Sequence, residues 1–337
     1  MTDNEAITKP ASGDGTDEMD ERDGVAGRPR GVDDEPSLTG QTVLVTGGAG
    51  FVGSHLVEAL LGANEVRVLD DLSSGRAANV PAGAELVQGD VRDADDLGWA
   101  MDDVDVVFHQ AGLVSVDRSV DRPVRSHETN VAATVDLLDR AREVDARVVV
   151  ASSCAIYGDP EDVPVDETEP KTPTSPYAVD KLAIDHYTRT YADLYDLDAV
   201  GLRYFNIYGP RQAGGDYSGV VKAFLEQARA GDPITVHGDG DQTRDFVHVS
   251  DVVRANLAAA TTDHTGRAFN VGTGQSTSIR QLAETIRDVV GSDSDIVHTE
   301  PRPADVRHSR ADLERTRTEL GFEPTVSLED GLATLVE

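Results

Sequence analysis

The sequence predicts an α/β protein with a doubly wound, parallel β-sheet, and three observations support this prediction. Short β-branched or apolar runs recur between residues 42 and 204. A stretch of helical character separates most of these runs, as the crossover between parallel strands requires. Glycines directly follow the first run, where a βαβ unit turns from strand to helix. After Tyr204 the pattern is less regular and richer in Gly, Pro and Asp, which predicts a second, smaller, irregular α/β lobe.

The elements follow in order from local signals. A β-branched run, Thr42–Thr46, forms the first strand, and a helical pattern follows the glycines. The later helix near 176–195 has a capping residue, Ser175, and a proline suited to its first position, Pro176. The remaining predicted strands are 65–69, 84–87, 104–108, 147–151 and 199–203, and the remaining predicted helices are 51–61, 93–101 and 120–144.

The chain divides into three predicted regions. Residues 1–37 are acidic with almost no large apolar side chains, so they cannot bury enough surface to offset the entropy of ordering, and we expect a disordered tail. Residues 38–204 should form a Rossmann-type nucleotide-binding domain, to which a segment near 244–270 returns. Residues 205–337 should form mainly the substrate-binding lobe.

Composition excludes several classes of protein. No apolar stretch approaches the roughly 18 residues that a spanning helix needs, and the N-terminus lacks the apolar core of a secretory signal. We therefore expect a cytoplasmic protein without membrane contact. The single cysteine, Cys154, excludes an intramolecular disulfide framework and a cysteine zinc site, and we expect no metal.

The charge is strongly negative. Asp and Glu total 62 against 30 Lys and Arg, for a net charge of −32, which would repel nucleic acids and anionic membranes. Such an Asp-rich chain with few lysines resembles proteins of halophilic archaea, in which salt screens self-repulsion. An ordinary acidic protein with an acidic tail is the alternative, but the excess continues well beyond the tail.

The first glycines predict a dinucleotide site. Gly47, Gly50 and Gly53 lie between the first strand and the first helix, where backbone N–H groups and the helix dipole can face a pyrophosphate. Asp70 ends the second strand, where a carboxylate can accept hydrogen bonds from ribose hydroxyls and would repel a 2′-phosphate. This favours NAD over NADP; a purely structural turn is the alternative.

A tyrosine and a lysine form the candidate catalytic pair. Tyr177 and Lys181 are four residues apart and so project from one helix face. The ammonium group and the positive helix end should favour the phenolate, which makes Tyr177 a candidate base, although a surface pair would show the same spacing. Ser153, with Ser152 as the alternative, follows the fifth strand, whose end faces the ligand crevice.

Together these motifs resemble the extended short-chain dehydrogenase/reductase family, from about residue 41 to the C-terminus. The resemblance is narrower to its NAD-dependent nucleotide-sugar epimerases and dehydratases, of the UDP-glucose 4-epimerase type. The matching motifs are Thr46–Gly53, Asp70, Gly89–Val91, Ala111–Gly112, Asn130, Ser153, and Tyr177 with Lys181.

The resemblance implies a role for each matching position. It assigns Ser153, Tyr177 and Lys181 to catalysis. It places around NAD the residues Gly47, Gly50, Phe51, Val52, Gly53, Asp70, Asp71, Ser74, Gly75, Asp90, Val91, Ala111, Asn130, Tyr177 and Lys181. It places around a UDP- or dTDP-sugar the residues Ser115, Ser153, Asn206, Gln212, Arg244 and Arg302, the two arginines on the diphosphate.

Three functions stay open at this point. The resemblance favours 4-epimerisation through a transient 4-keto sugar. A 4,6-dehydratase or a UDP-glucuronate decarboxylase would carry acidic residues just after the serine, where this chain has Cys154 and Ala155. A non-catalytic NAD-binding protein is the third possibility. The resemblance also implies a homodimer that pairs the helices near 120–144 and 176–195.

Overall fold

The computed structural model describes residues 38–212, 219–302 and 305–336. The expected disordered tail, residues 1–37, lies outside them. The strands are β1 (Thr42–Thr46), β2 (Glu65–Asp70), β3 (Glu85–Gln88), β4 (Val106–His109), β5 (Arg147–Ser153), β6 (Ala199–Tyr204), β7 (Asn206–Tyr208), β8 (Ile234–His237), β9 (Thr243–Arg244), β10 (Phe246–His248), β11 (Arg267–Val271), β12 (Thr277–Ser278) and β13 (Ile296–Thr299).

Seven strands form one parallel sheet in the order β11-β6-β5-β4-β1-β2-β3. The predicted Rossmann-type fold class is thus confirmed. The chain builds the sheet outward from β1 in one direction and then from β4 in the other, so the strand order reverses between β1 and β4. In such sheets ligands bind outside the carboxyl ends of the strands at this reversal.

The helices cover both faces of the sheet and build the smaller lobe. They are α1 (Phe51–Leu60), α2 (Ala94–Ala100), α3 (Val116–Asp121), α4 (Pro123–His127), α5 (Ala133–Val144), α6 (Pro176–Tyr195), α7 (Val220–Ala230), α8 (Val249–Thr261), α9 (Ile279–Val290) and α10 (Leu328–Ala333). Within the described ranges, no helix is long and apolar enough to cross a membrane.

The helix predicted over 120–144 differs from the structure. It begins earlier, at Val116, and is interrupted at Arg122, which leaves helical geometry (φ −138°, ψ 64°). Pro123 causes this break, since the proline ring disfavours helical geometry in the residue before it. A π-helical turn over 128–132 then precedes α5.

Alternate residues of the central strands fill two separate cores, as the period of a strand dictates. Val43 and Val45 of β1 belong to the core that includes residues of α1 and α8, whereas Leu44 belongs to the core on the side of α2 and α5. A third core lies in the smaller lobe, where Phe224, Ile234 and Leu282 pack together from α7, β8 and α9. The sheet is therefore anchored on both faces, and its carboxyl edge is left for the site.

Candidate active site

Four chain segments meet at the carboxyl edge of the sheet near the strand reversal. The glycine loop follows β1, Asp70 ends β2, His109 ends β4 and Ser153 ends β5. The register pairs Thr46 with both Leu69 and His109, so the ends of β1, β2 and β4 lie side by side. This edge brings together most of the residues that the sequence singled out.

Two positions in the glycine loop tolerate no side chain. Gly47 has φ +69°, and a Cβ there would lie 2.7 Å from the backbone nitrogen of Ala111. A Cβ on Gly53 would lie 2.2 Å from the carbonyl oxygen of Gly47. The loop therefore packs backbone against backbone, which lets α1 begin close to the strand end.

The first turn of α1 is suited to an anion. Gly50 is the N-cap and offers no side-chain hydrogen bond to the N–H groups of the first turn, which begins with Phe51 and Val52. Exposed N–H groups and the helix dipole make such a turn a site for a phosphate. The predicted pyrophosphate residues thus lie together at one helix start.

Both carboxylate oxygens of Asp70 accept backbone hydrogen bonds, one of them from the glycine loop. Its Oδ2 accepts a hydrogen bond from the backbone N–H of Ala49 (2.9 Å), and its Oδ1 accepts one from that of Leu72 (2.8 Å). Burial raises the pKa of Asp70, and these two hydrogen bonds oppose the rise. Each oxygen keeps a further lone pair, so the carboxylate can also accept from ribose hydroxyls.

The other residues predicted to bind the adenosine differ in exposure and in partners. Asp71 and Ser74 are exposed in the loop after β2, and a Cβ on Gly75 would lie 2.8 Å from the backbone of Ala49. Val91 is buried, whereas the Asp90 carboxylate is already paired with Arg92. Hydrogen bonds from Arg92 lower the pKa of Asp90, so this carboxylate is a weaker candidate for a ligand contact than Asp70.

The candidate catalytic residues lie where α6 crosses the end of β5. Lys181 Nζ donates a hydrogen bond to the carbonyl oxygen of Ala151 (2.6 Å) and lies 5.9 Å from the centre of the Tyr177 ring. Ser153 lies near enough to the Tyr177 phenol to lower its pKa, whereas the Ser152 hydroxyl donates to the backbone carbonyl of Lys181 (3.4 Å). The structure thus separates the two serines: Ser153 is placed beside Tyr177.

The pKa values of Tyr177 and Lys181 differ from the expectation that the lysine favours the Tyr177 phenolate. Burial raises the pKa of Tyr177 to about 12, and the hydrogen bond of Ser153 opposes the rise. Burial also lowers the pKa of Lys181 to about 8, although Asp180 opposes that change. Desolvation therefore outweighs the attraction between phenolate and ammonium in the protein alone, and an additional positive charge is needed to stabilise the phenolate near neutral pH.

Ala111 and Asn130 shape the wall beside Lys181. The Asn130 side chain accepts a hydrogen bond from the Leu113 N–H (2.8 Å) and donates one to the Leu113 carbonyl (3.1 Å). A Cβ on Gly112 would lie 3.9 Å from Lys181 Nζ. Asn130 thus supports the backbone at Leu113, next to the wall beside Lys181.

The predicted substrate residues are spread over the smaller lobe and the loop before α3. Ser115 caps α3 by accepting from the Arg118 N–H (3.2 Å). Asn206 donates to the Asp245 carbonyl (3.1 Å), and Gln212 donates to the Ile207 carbonyl (3.2 Å).

The two candidate diphosphate arginines differ in their surroundings. Arg244 is mostly buried, donates to its neighbour's carbonyl (Thr243, 2.7 Å) and pairs with Asp305. Arg302 is exposed. Arg244 is thus held at a fixed place in the protein, whereas the Arg302 side chain lies in solvent.

Several residues that the sequence analysis missed hold these groups in place. The buried Ser119 accepts a hydrogen bond from the Tyr177 N–H (3.1 Å), which the start of α6 would otherwise leave unpaired. The buried Asp180 accepts from the Ser126 hydroxyl (2.5 Å). Asp245 is fully buried and accepts from the backbone N–H groups of Thr273 and Gly274, next to Arg244. Of these contacts, only the one made by Asp180 had a signal in the sequence, because Asp180 lies between Tyr177 and Lys181 in the pattern Tyr-x-x-Asp-Lys.

Comparison with known proteins decides the family. The model of the NAD dependent epimerase/dehydratase family matches residues 43–272, which is more than half of the chain. The chain belongs to this family. NAD is therefore the cofactor expected at the glycine loop and Asp70.

Relatives of this epimerase/dehydratase chain match it over nearly their whole length. A UDP-glucose 4-epimerase of Mycolicibacterium smegmatis is 43% identical over 303 residues, covering 87% of this chain and 97% of the relative. The UDP-N-acetylglucosamine 4-epimerase of Methanobrevibacter ruminantium M1, in complex with UDP-N-acetylmuramic acid, has a TM-score of 0.86 at 37% identity, covering 89% of this chain and 98% of that chain. The UDP-glucose 4-epimerase of Thermotoga maritima, with UDP-glucose, has a TM-score of 0.85 at 38% identity, covering 88% and 97%.

Proposed function

We propose that the protein is an NAD-dependent nucleotide-sugar 4-epimerase that acts through a transient 4-keto sugar, as in the interconversion of UDP-glucose and UDP-galactose. One observation carries the proposal: Tyr177, Lys181 and Ser153 converge at the carboxyl edge of the sheet, where the glycine loop presents a helix start suited to a phosphate. The chain's similarity to 4-epimerases that were solved with UDP-sugars supports the same assignment.

The residues divide the chemistry among them. Tyr177 takes the proton of the sugar C4 hydroxyl as the C4–H bond breaks, and returns it after the sugar has turned over. NAD held at the glycine loop and Asp70 would supply hydride-transfer chemistry at C4 and a positive charge that stabilises the Tyr177 phenolate. Ser153 holds the C4 oxygen, and Lys181 stabilises the phenolate.

The neighbours of Ser153 favour epimerisation over elimination. A dehydratase needs an acid and a base for proton transfer at C5 and C6, and the two positions after Ser153 hold Cys154 and Ala155. Burial raises the pKa of the Cys154 thiol to about 12, so it stays neutral and can serve as neither group. The two residues after Ser153 therefore offer no acid or base for elimination, which favours a reaction confined to oxidation and reduction at C4.

The substrate is held by its diphosphate in this proposal, between the sheet edge and the lobe of residues 205–337. Arg244 and Arg302 would bind the phosphates, since guanidinium groups match phosphate oxygens. Local positive charge is needed for an anionic ligand in a chain of net charge −32. The sugar itself stays free to rotate.

We also propose a cytoplasmic, salt-adapted enzyme that accepts UDP- or dTDP-linked sugars.

A substrate panel tests the proposed function. The purified protein would be incubated in low and in molar salt with UDP- and dTDP-sugars, and the C4 epimers would be resolved by NMR. We expect epimer formation without added NAD, because the cofactor is regenerated in each cycle, and higher activity in high salt. A protein that binds neither NAD nor any nucleotide sugar would instead be a non-catalytic member of the fold.

Asp70→Ala should weaken NAD binding and reduce the preference for NAD over NADP. Loss of hydrogen bonds to a charged acceptor costs about 1.5–3 kcal/mol, or roughly a 10- to 100-fold increase in the Kd for NAD. NADP should lose less affinity, because the repulsion of its 2′-phosphate is removed together with the carboxylate. Isothermal titration with both cofactors measures the ratio, and an unchanged ratio would exclude Asp70 from the ribose site.

We propose that the protein forms a homodimer through an exposed apolar face of α3, α4 and α6. Val120 and Val124 are exposed on α3 and α4, and Val124 is 70% exposed. On α6 the exposed apolar residues are Val179, Tyr187 and Leu194, which are eight and seven residues apart and so follow one side of the helix. Exposed apolar residues grouped on adjacent helices are typical of a protein interface.

The dimer proposal is tested by charge placed on this face. Val124→Asp and Leu194→Asp should each convert the dimer into a monomer in analytical ultracentrifugation at fixed salt. Val297→Asp is the matched control, because Val297 is an exposed valine on β13 in the smaller lobe. A wild-type protein that sediments as a monomer at all concentrations would contradict the proposal.

A further inference from the structure

The end of β4 holds a buried histidine that the proposed chemistry does not use. His109 is 2% exposed and pairs in register with Thr46 of β1. Its Nδ1 lies 2.8 Å from Thr46 Oγ1, and its Nε2 lies 2.9 Å from Thr134 Oγ1. Both threonines are fully buried, so these hydrogen bonds are inaccessible to water.

The partners of Thr134 determine which ring nitrogen carries the proton. The Thr134 hydroxyl donates to the carbonyl oxygen of Asn130 (2.5 Å), which can only accept. A hydroxyl has one proton, and the Thr134 hydroxyl already donates it to this carbonyl. Thr134 Oγ1 must therefore accept its second hydrogen bond from His109 Nε2–H.

The partners of Thr46 complete the assignment. The backbone N–H of Ala111 donates to Thr46 Oγ1 (3.2 Å). Burial lowers the pKa of His109 to about 3, and the charge of Lys181 acts in the same direction, so the ring is neutral and has one N–H. His109 Nδ1 is therefore bare and accepts from the Thr46 hydroxyl. All four hydrogen bonds run in one direction, from the Ala111 N–H to the Asn130 carbonyl.

Both ends of this series of hydrogen bonds are attached to the same segment, residues 111–113. Its last member, Asn130, also binds both backbone groups of Leu113 with its side chain. Residues 111–113 are thus tied at one end through Thr46 and His109 and at the other through Asn130. A Cβ on Gly112, between the two ties, would lie within 4 Å of both Asn130 Oδ1 and Lys181 Nζ (2.9 and 3.9 Å).

We propose that His109, held as the neutral Nε2–H tautomer, is a positioning residue that fixes residues 111–113 beside Lys181. Its role in turnover rests on the proposed function and on the family resemblance, which places Ala111 beside NAD. Hydride transfer depends steeply on the distance and orientation of the reacting atoms, so a mobile wall would slow it. A neutral ring also adds no second positive charge near Lys181 and NAD⁺.

The tautomer itself can be observed without any activity. Two-dimensional NMR of protein labelled with ¹⁵N-histidine, with the His109 signals assigned by their loss in His109→Phe, reports the proton on each nitrogen. We expect one neutral form with the proton on Nε2 and no titration from about pH 5 to about pH 9. A proton on Nδ1, or titration near the usual pKa of about 6.5, would overturn the proposal.

A matched set of variants tests the positioning role. Thr134→Val removes the acceptor of His109 without changing the volume, and Thr134→Ser keeps it. We expect Thr134→Val and His109→Phe to lower kcat by roughly 10- to 100-fold and to weaken NAD binding, with KM for the sugar little changed and Thr134→Ser close to wild type. Thr316→Val is the control, because the buried Thr316 donates to the Asn270 carbonyl.

The outcomes separate the possible explanations. If Thr134→Val and His109→Phe lose only thermal stability, as Thr316→Val should, then His109 has a purely structural role and the proposal is wrong. If the wild-type protein epimerises no sugar, the proposed function fails, while the tautomer and the NAD affinity of the variants still test the hydrogen-bond chain.

Discussion

Tyr177→Phe should abolish epimerisation while NAD remains bound. The variant keeps the ring and its packing but removes the atom that takes the C4 proton. Because a positioned general base contributes roughly 10²- to 10⁴-fold, we expect kcat to fall by about 10³-fold or more. NAD affinity should change little, since the proposed pyrophosphate and adenosine-ribose contacts lie at the glycine loop and Asp70 and do not involve the Tyr177 hydroxyl.

The control for this prediction lies on the same helix. Tyr191→Phe removes a hydroxyl from a tyrosine 14 residues further along α6, which packs edge-on against Tyr195. Single-turnover kinetics with bound NAD, followed by NADH absorbance and by epimer formation, would be measured for both variants. Turnover of Tyr177→Phe at the rate of Tyr191→Phe would remove Tyr177 from the chemistry.

The sequence was sufficient to predict the fold class and to single out the residues of the candidate site, because both inferences follow from local patterns. Alternation of strands with helical spacers specifies a parallel sheet, and Gly47, Gly53 and Asp70 are required by backbone geometry and by charge. The spacing of Tyr177 and Lys181 places both on one helix face. Each of these inferences uses residues that are close in the sequence.

The inferences that failed or were missed depend on contacts between distant segments. The pKa of Tyr177 rises because neighbouring segments bury it, and no local pattern reports how much water a fold removes. Ser119 binds the Tyr177 N–H from 58 residues away, and His109 joins Thr46 to Thr134 across separate elements. Each of these polar residues is unremarkable in the sequence until the fold buries it.

The helix that carries Tyr177 is also fixed by a buried ion pair. Asp185 lies four residues after Lys181, on the same side of α6, and Arg203 lies on β6. Arg203 Nε donates to Asp185 Oδ2 (2.8 Å) and its second terminal nitrogen donates to Oδ1 (3.0 Å), with exposures of 3% and 0%. The remaining guanidinium nitrogen donates to the Tyr157 hydroxyl (2.9 Å) and to the Glu167 carbonyl (3.0 Å). The pair therefore holds α6 to β6 beneath the candidate catalytic residues.

Asp185→Ala should destabilise the protein by about 3–5 kcal/mol, because it removes the hydrogen-bonded counter-charge of the buried Arg203 guanidinium. Burial alone would raise the pKa of Asp185, but the hydrogen bonds and charge of Arg203 outweigh it and lower the pKa, so the carboxylate is ionised at neutral pH. Urea unfolding at fixed salt measures the loss. Asp241→Ala, which breaks the exposed pair with Arg280, should cost less than about 1 kcal/mol. An equal decrease in the free energy of unfolding of the two variants would contradict this prediction. It would mean that the buried Asp185–Arg203 pair stabilises the protein no more than an exposed pair does, and that apolar contacts hold α6 to β6.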